Sequence, residues 1–234
     1  MRRGRRGGAA ALGVAVLAAL GAGAGAGARE APVEASRALP ELPAGSPTHE
    51  DYMRAAVFMA ELNPAAPYGA VIVNTTTGDV VCRGVNNAAH DPTHHGEMQA
   101  IHDCASSWPQ LRGPDAKAEW AKLELYTTAE PCPMCMAGIE WCGMRAVYFG
   151  TSLWTLEGMG LHQIDIPAED VSAKKNFGTK ANIYGGVLRE VTDPLFQAIA
   201  PGSKGKGVVH DHGHLHDHDH SDISSFLSAK LGRV

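Results

Sequence analysis

The sequence predicts an α/β protein in which helices cover a sheet of about five strands. Three observations predict it. Short, β-branched apolar runs alternate along the chain with segments whose apolar residues recur at helical spacing. Clusters of Asn, Gly, Asp and Pro separate the two kinds of segment. With 234 residues, 44% of them hydrophobic, the chain is long enough to bury one good core.

Ser46-Pro47 offers an N-cap followed by proline at the first helical position. Met53, Ala56, Val57 and Ala60 then form a helical stripe that stops at Asn63-Pro64. Tyr68 to Val73 reads as a strand, Asn74 to Asp79 as a turn and Val80-Val81-Cys82 as the returning strand of a hairpin. Asp91-Pro92-Thr93 opens a second helix with Met98, Ile101 and Ala105 on one face, which puts His95 and Glu97 in its first turn. A third strand, Leu123 to Thr127, feeds Pro131-Cys132 and a helix running toward Trp141, and Ala146 to Phe149 is the next strand. Loops and a short helix are expected between Thr151 and Lys180. Ile183 to Leu188 then reads as a last strand and Asp193 to Gln197 as a final helix.

The two ends have a different character. Met1-Arg2-Arg3-Gly4-Arg5-Arg6, an apolar run from Ala9 to Leu20 and a stretch of small residues give residues 1–28 the layout of a secretory signal peptide. Export, to the outside or a periplasm, is the resulting expectation. An organelle transit peptide is the alternative, since arginine is plentiful and Glu30 is the first acidic residue. The apolar run is too short to span a bilayer, so no membrane span is expected after signal removal. Residues 29–45, rich in Pro, Ala and Glu, read as a linker, and residues 46–200 as the catalytic domain. In the tail, 201–234, the histidines His210, His212, His214, His216, His218 and His220 alternate mainly with Asp and Gly. Such a tract either binds zinc, copper or nickel loosely or is a solvated tail without a fixed site.

Net charge is −5, which argues against a long phosphate-tracking surface and favours small molecules over nucleic acid as partners. In an oxidising compartment Cys82, Cys104 and Cys142 could form at most one internal disulfide, and spacing does not say which two would pair. Alternatively all three are small buried apolar residues.

The chemistry is concentrated in His95-Gly96-Glu97 and Pro131-Cys132-Pro133-Met134-Cys135. One neutral imidazole and two thiolates supply three ligands of a tetrahedral Zn2+ site and leave the fourth position open, the pattern of a catalytic rather than a structural zinc. Glu97, two residues from the histidine, reaches that open position without being needed as a ligand, as a general acid/base must. The cysteines fall at the start of a helix, where backbone amides favour thiolates. His94 reads as a polar helix-start residue facing away.

From about Ala56 to Gly150 the chain resembles the cytidine/deoxycytidylate deaminase superfamily, within it the guanine deaminase and tRNA adenosine deaminase branch. The resemblance is carried by Pro67-Tyr68-Gly69-Ala70-Val71, Gly84-Val85-Asn86, Asp91-Pro92-Thr93-His94-His95-Gly96-Glu97 and Glu130-Pro131-Cys132-Pro133-Met134-Cys135. It implies a three-layer fold around a central mixed sheet. It also implies one zinc per subunit on His95, Cys132 and Cys135, Glu97 as catalytic proton shuttle, and a homodimer. Asn86 would then hydrogen-bond the substrate base, and Tyr68 and Trp141 would wall its pocket. The implied activity is hydrolytic deamination of a free nucleobase or nucleoside with release of ammonia, guanine being the first candidate. Deamination of tRNA adenosine, or of cytosine or cytidine, is the alternative. In another class, the chain would be a non-catalytic zinc-binding or metal-handling protein, against which the presence of Glu97 speaks. Gly96 stands where relatives carry alanine, and the paired acidic residues of guanine deaminase endings are not recognisable after Gly158.

Overall fold

A computed structural model describes residues 39–202. The expected signal peptide, the first part of the expected linker and the histidine tail from residue 203 onward lie outside the described residues.

Five strands form one sheet: β1 (Gly69–Asn74), β2 (Val80–Val85), β3 (Leu123–Ala129), β4 (Ala146–Thr151) and β5 (Asn182–Tyr184), in the order β2-β1-β3-β4-β5. β1 is antiparallel to both β2 and β3, whereas β3, β4 and β5 run parallel. The sheet is therefore mixed, as the family resemblance implies. Helices α1 (His49–Glu61), α2 (Gly96–Ser107), α3 (Ala116–Trp120), α4 (Pro133–Cys142), α5 (Leu153–Gly158), α6 (Ala168–Ala173) and α7 (Arg189–Gln197) complete the described elements, with a 3-10 turn at Pro109–Leu111.

Strand alternation divides the core in two. Ile72, Leu125 and Val147 pack on one face against Ala100 and Ile101 of α2 and Met136 and Ile139 of α4. Val71, Val73, Tyr126 and Tyr148 pack on the other against Met53, Ala56 and Met59 of α1. Each large side chain buried this way contributes about 1.5–3 kcal/mol relative to exposure. These three layers fix where α2 and α4 begin, and so where the site lies.

Local chemistry moves several boundaries from their expected positions. α1 is capped by Thr48, not Ser46: its hydroxyl accepts from the Asp51 backbone N–H and the Asp51 carboxylate accepts from the Thr48 N–H, a reciprocal capping box. Leu39 and Leu42 pack against the α1 side of the core, so the end of the expected linker is part of the packed unit. α2 starts at Gly96, because the Asp91 carboxylate accepts from both the backbone and the hydroxyl of Thr93 and holds that stretch in a turn. His95 is consequently the N-cap residue. β5 is shorter than expected, since Gly186 and Leu188 adopt positive φ and bend the chain into α7.

Cys82 and Cys104 form a disulfide that joins β2 to α2, while Cys142 is unpaired. The join between these elements is close. A Cβ on Gly84 would overlap the Gly96 carbonyl and the Ala100 N–H, and one on Gly96 would lie 2.6 Å from the Tyr68 carbonyl oxygen. Glycine at 96 in place of alanine is thus what lets the start of α2 sit against β1 and β2. No helix among the described residues is long and apolar enough to cross a membrane.

Candidate active site

Two helix starts bring the chemistry together. His95 is the N-cap of α2, Cys132 the N-cap of α4, and Cys135 lies in the first turn of α4. Pro133 follows Cys132 at the first helical position, where its fixed φ and missing N–H cost nothing.

His95 Nδ1 is 3.5 Å from Cys132 Sγ and 3.5 Å from Cys135 Sγ, and the two sulfurs are 3.6 Å apart. This triangle can be tested against zinc. Bonds of about 2.3 Å to sulfur and about 2.0–2.1 Å to nitrogen, at tetrahedral angles, put the sulfurs about 3.8 Å apart and each sulfur about 3.6 Å from the nitrogen. The three atoms therefore already stand at the vertices zinc requires. They are also the only such group of metal-ligating side chains among the described residues.

Electrostatics agree with that assignment. Hydrogen bonding to the Cys135 thiol and to His95 lowers the Cys132 thiol to about 4, and the same contact together with burial pushes Cys135 up. The two sulfurs thus share one proton, which a bound cation would displace. His95 is raised, chiefly by its bond to Cys132. Glu97 is 5% exposed in the first turn of α2. Burial pushes its carboxyl up, and the negative Cys132 sulfur adds to the effect. A carboxyl held above its ordinary range is suited to both accept and return a proton near neutrality.

The triangle opens into a cleft of about 370 Å³. Part of its lining, the first wall, is Tyr68, Asn86, Ala88, His95, Glu97, Glu130 and Cys132, and the rest, the second wall, is His162, Gln163 and Ile164 from the loop between α5 and α6. Asn86 is fixed by its main chain, which donates to the Tyr68 carbonyl at 3.0 Å and accepts from the Asn63 side chain at 2.8 Å. Asn86 and Tyr68 both line the cleft. Trp141 does not: it is 67% exposed on the far part of α4, stacked on Phe177 at 4.5 Å between centroids, and takes no part in lining the cleft. Nearly two helical turns separate it from Cys135, and its side of α4 turns toward the segment after α6. His94 turns away as expected and lies 3.6 Å from the Asp91 carboxylate.

Of the lining residues not singled out from the sequence, Glu130 stands inside the motif that begins Glu130-Pro131-Cys132, whereas the loop residues carry no motif. Glu130 has a double contact: one carboxylate oxygen accepts from Leu153 N at the start of α5 at 2.8 Å, the other from Ala168 N at the start of α6 at 2.9 Å. Its place immediately before Pro131-Cys132 was the available signal. His162, Gln163 and Ile164 had none beyond being polar or apolar residues in a loop.

Residues 46–151 match the model of the cytidine and deoxycytidylate deaminase zinc-binding region. Guanine deaminase of Bacillus subtilis (strain 168) is 31% identical over 134 residues, 52% of this chain and 80% of that protein. The chain belongs to the cytidine and deoxycytidylate deaminase family. A tRNA-specific adenosine deaminase of Buchnera aphidicola subsp. Baizongia pistaciae (strain Bp) is 30% identical over 111 residues, 45% of this chain, which spans 63% of that protein's length. Among solved structures, guanine deaminase from Nitrosomonas europaea superposes with a TM-score of 0.53 at 21% identity, covering 69% of this chain and 87% of that one, a likeness of fold. The family deaminase is a zinc enzyme, and the triangle of His95, Cys132 and Cys135 fits its metal.

Proposed function

We propose that this deaminase acts on a free nucleobase or nucleoside, with guanine as first substrate, using His95, Cys132 and Cys135 to hold zinc and Glu97 to move protons. The observation that carries the reading is the zinc-sized triangle beside a buried carboxyl, opening on a cleft whose walls offer an aromatic ring and an amide. No Lys or Arg lines the cleft among the described residues, so nothing there would grip a phosphate, and a free base or nucleoside fits better than a nucleotide. The similarity to guanine deaminase of Bacillus subtilis supports guanine within that class.

When bound, zinc would lower the pKa of a water toward ~7 at the open position. Glu97 accepts a proton from the attacking water, gives one to the ring nitrogen next to the reacting carbon, and assists proton delivery to the departing amine. Ammonia leaves and a carbonyl remains. Asn86 orients the ring by its edge, and Tyr68 excludes water beside it.

Export belongs to the same proposal and is supported by the Cys82–Cys104 disulfide, since such bonds persist mainly in oxidising compartments. A homodimer also belongs to the proposal, carried over from the family resemblance, with exposed Trp141 and Trp154 as residues to probe at its interface. The test is ammonia release by the zinc-loaded chain from guanine, adenine, adenosine, cytosine, cytidine and bulk tRNA. Guanine is expected to give the highest kcat/KM. A preference for tRNA, which the similarity to tRNA adenosine deaminases favours and the charge of −5 disfavours, would overturn the small-substrate reading.

A further inference from the structure

Gln163 reaches across the cleft from the loop between α5 and α6, and its side-chain nitrogen donates to the Tyr68 hydroxyl at 3.2 Å. Tyr68 is held from behind: its ring packs on Phe196 at 4.9 Å between centroids and within the small core of Ala129 and Leu156. Burial pushes the phenol above its ordinary range, so the hydroxyl keeps its proton. Having accepted from Gln163, that hydroxyl is left to donate. Gln163 Oε1 is left to accept, since among the described residues it makes no hydrogen bond. A donor and an acceptor thus meet where the loop reaches Tyr68, joined by one hydrogen bond, at a tyrosine packed from behind and a loop held at its ends.

We propose that the Gln163–Tyr68 pair is the specificity-determining contact of the cleft, reading a lactam edge in which a ring N–H sits next to a carbonyl. Gln163 Oε1 accepts from the ring N–H, and the Tyr68 O–H donates to the carbonyl oxygen. An oxopurine presents that edge. Adenine, placed with its amine at the zinc triangle, turns a ring nitrogen lone pair and then a C–H toward the pair, which would set acceptor against acceptor at Gln163 and leave the Tyr68 hydroxyl without a partner. Mismatched polar groups in a closed site discriminate more strongly than a missing apolar contact does. This inference rests on the cleft being a base-binding site.

The test uses the zinc-loaded full chain and the variants Gln163→Ala and Tyr68→Phe. Xanthine, which bears the lactam edge and no exocyclic amine, is the binding probe; guanine and adenine are the substrates. Both variants are expected to bind xanthine about tenfold more weakly and to raise KM for guanine by a similar factor, with kcat changed less, the loss of about one hydrogen bond each. The guanine-to-adenine ratio of kcat/KM should fall in both. Thermal midpoint and zinc content serve as controls, and Gln163→Glu, which keeps an acceptor, should retain more xanthine binding than Gln163→Ala. Guanine turnover and selectivity unchanged in both variants would overturn the inference while leaving the deaminase reading intact. No guanine turnover by the unaltered chain would overturn guanine as the substrate instead, with the deaminase assignment left to the other bases and nucleosides. In that case weaker xanthine binding by the variants still supports the contact, and undiminished xanthine binding overturns it as well.

Discussion

The two walls of the cleft are built by opposite means. The first, from Tyr68, Asn86, His95, Glu97 and Cys132, comes from strand ends and helix starts whose backbones are buried and cross-linked. The second, from His162, Gln163 and Ile164, is a loop between two six-residue helices, with Ile164 60% exposed. Residues on the first wall can hardly move without moving the core, whereas those on the second are restrained mainly at the loop's ends. On the proposed roles, the difference would separate bond chemistry and the fixed ring contacts of Asn86 and Tyr68, which demand positions set to a fraction of an ångström, from the contact of Gln163, which comes from a replaceable surface.

Substitutions on the first wall should have the largest effects, and Glu97→Gln the largest of all. It is expected to lower kcat by about 10²- to 10⁴-fold with zinc content unchanged, read by ammonia release and metal analysis. Near-normal turnover would break the contrast, because the rigid wall would then lack the proton carrier. Removing the Cys82–Cys104 crosslink by double substitution to Ala should cost about 2–4 kcal/mol in denaturant unfolding, since it releases β2 from α2. Gly96→Ala should cost about 1–3 kcal/mol, because the added Cβ meets the Tyr68 carbonyl at 2.6 Å in a wall with no slack. Its kcat should fall as well, since His95 and Glu97 flank the shifted residue. The smallest effect is expected outside both walls: Trp141→Ala should cost about 0.5–1 kcal/mol in denaturant unfolding, the loss of an exposed ring's stacking on Phe177. A KM that rises with this variant would sharpen the comparison by assigning Trp141 to the cleft of a second copy.

The first wall was also the legible one. That His95, Glu97, Cys132 and Cys135 would come together was readable because metal and proton chemistry restrict both residue type and spacing, and the sheet could be anticipated because short β-branched apolar runs lie between clusters of turn residues. Trp141 shows where such reading fails. A tryptophan six residues beyond Cys135 can face inward or outward, and only the packing of α4 against the segment around Phe177 decides. Glu130 was visible as a letter beside the first cysteine but not as a cap for two helices, since its partners lie 23 and 38 residues away. Gln163 had no local signal, because its partner Tyr68 is 95 residues earlier in the chain. The Thr48 cap was missed for a smaller reason: Ser46-Pro47 is an equally good start signal, and the choice was made by the Asp51 carboxylate.

Glu130 grips its neighbours solely through main-chain amides, at Leu153 and Ala168, so its hold does not depend on the exposed side chains of the loop between them, while Leu156, Met159 and Leu161 in that stretch pack behind Tyr68. The loop they bracket behaves as an exchangeable cassette clipped at both ends to the segment that bears Cys132. New substrate preferences could be installed there by swapping letters, with the reactive core inherited untouched.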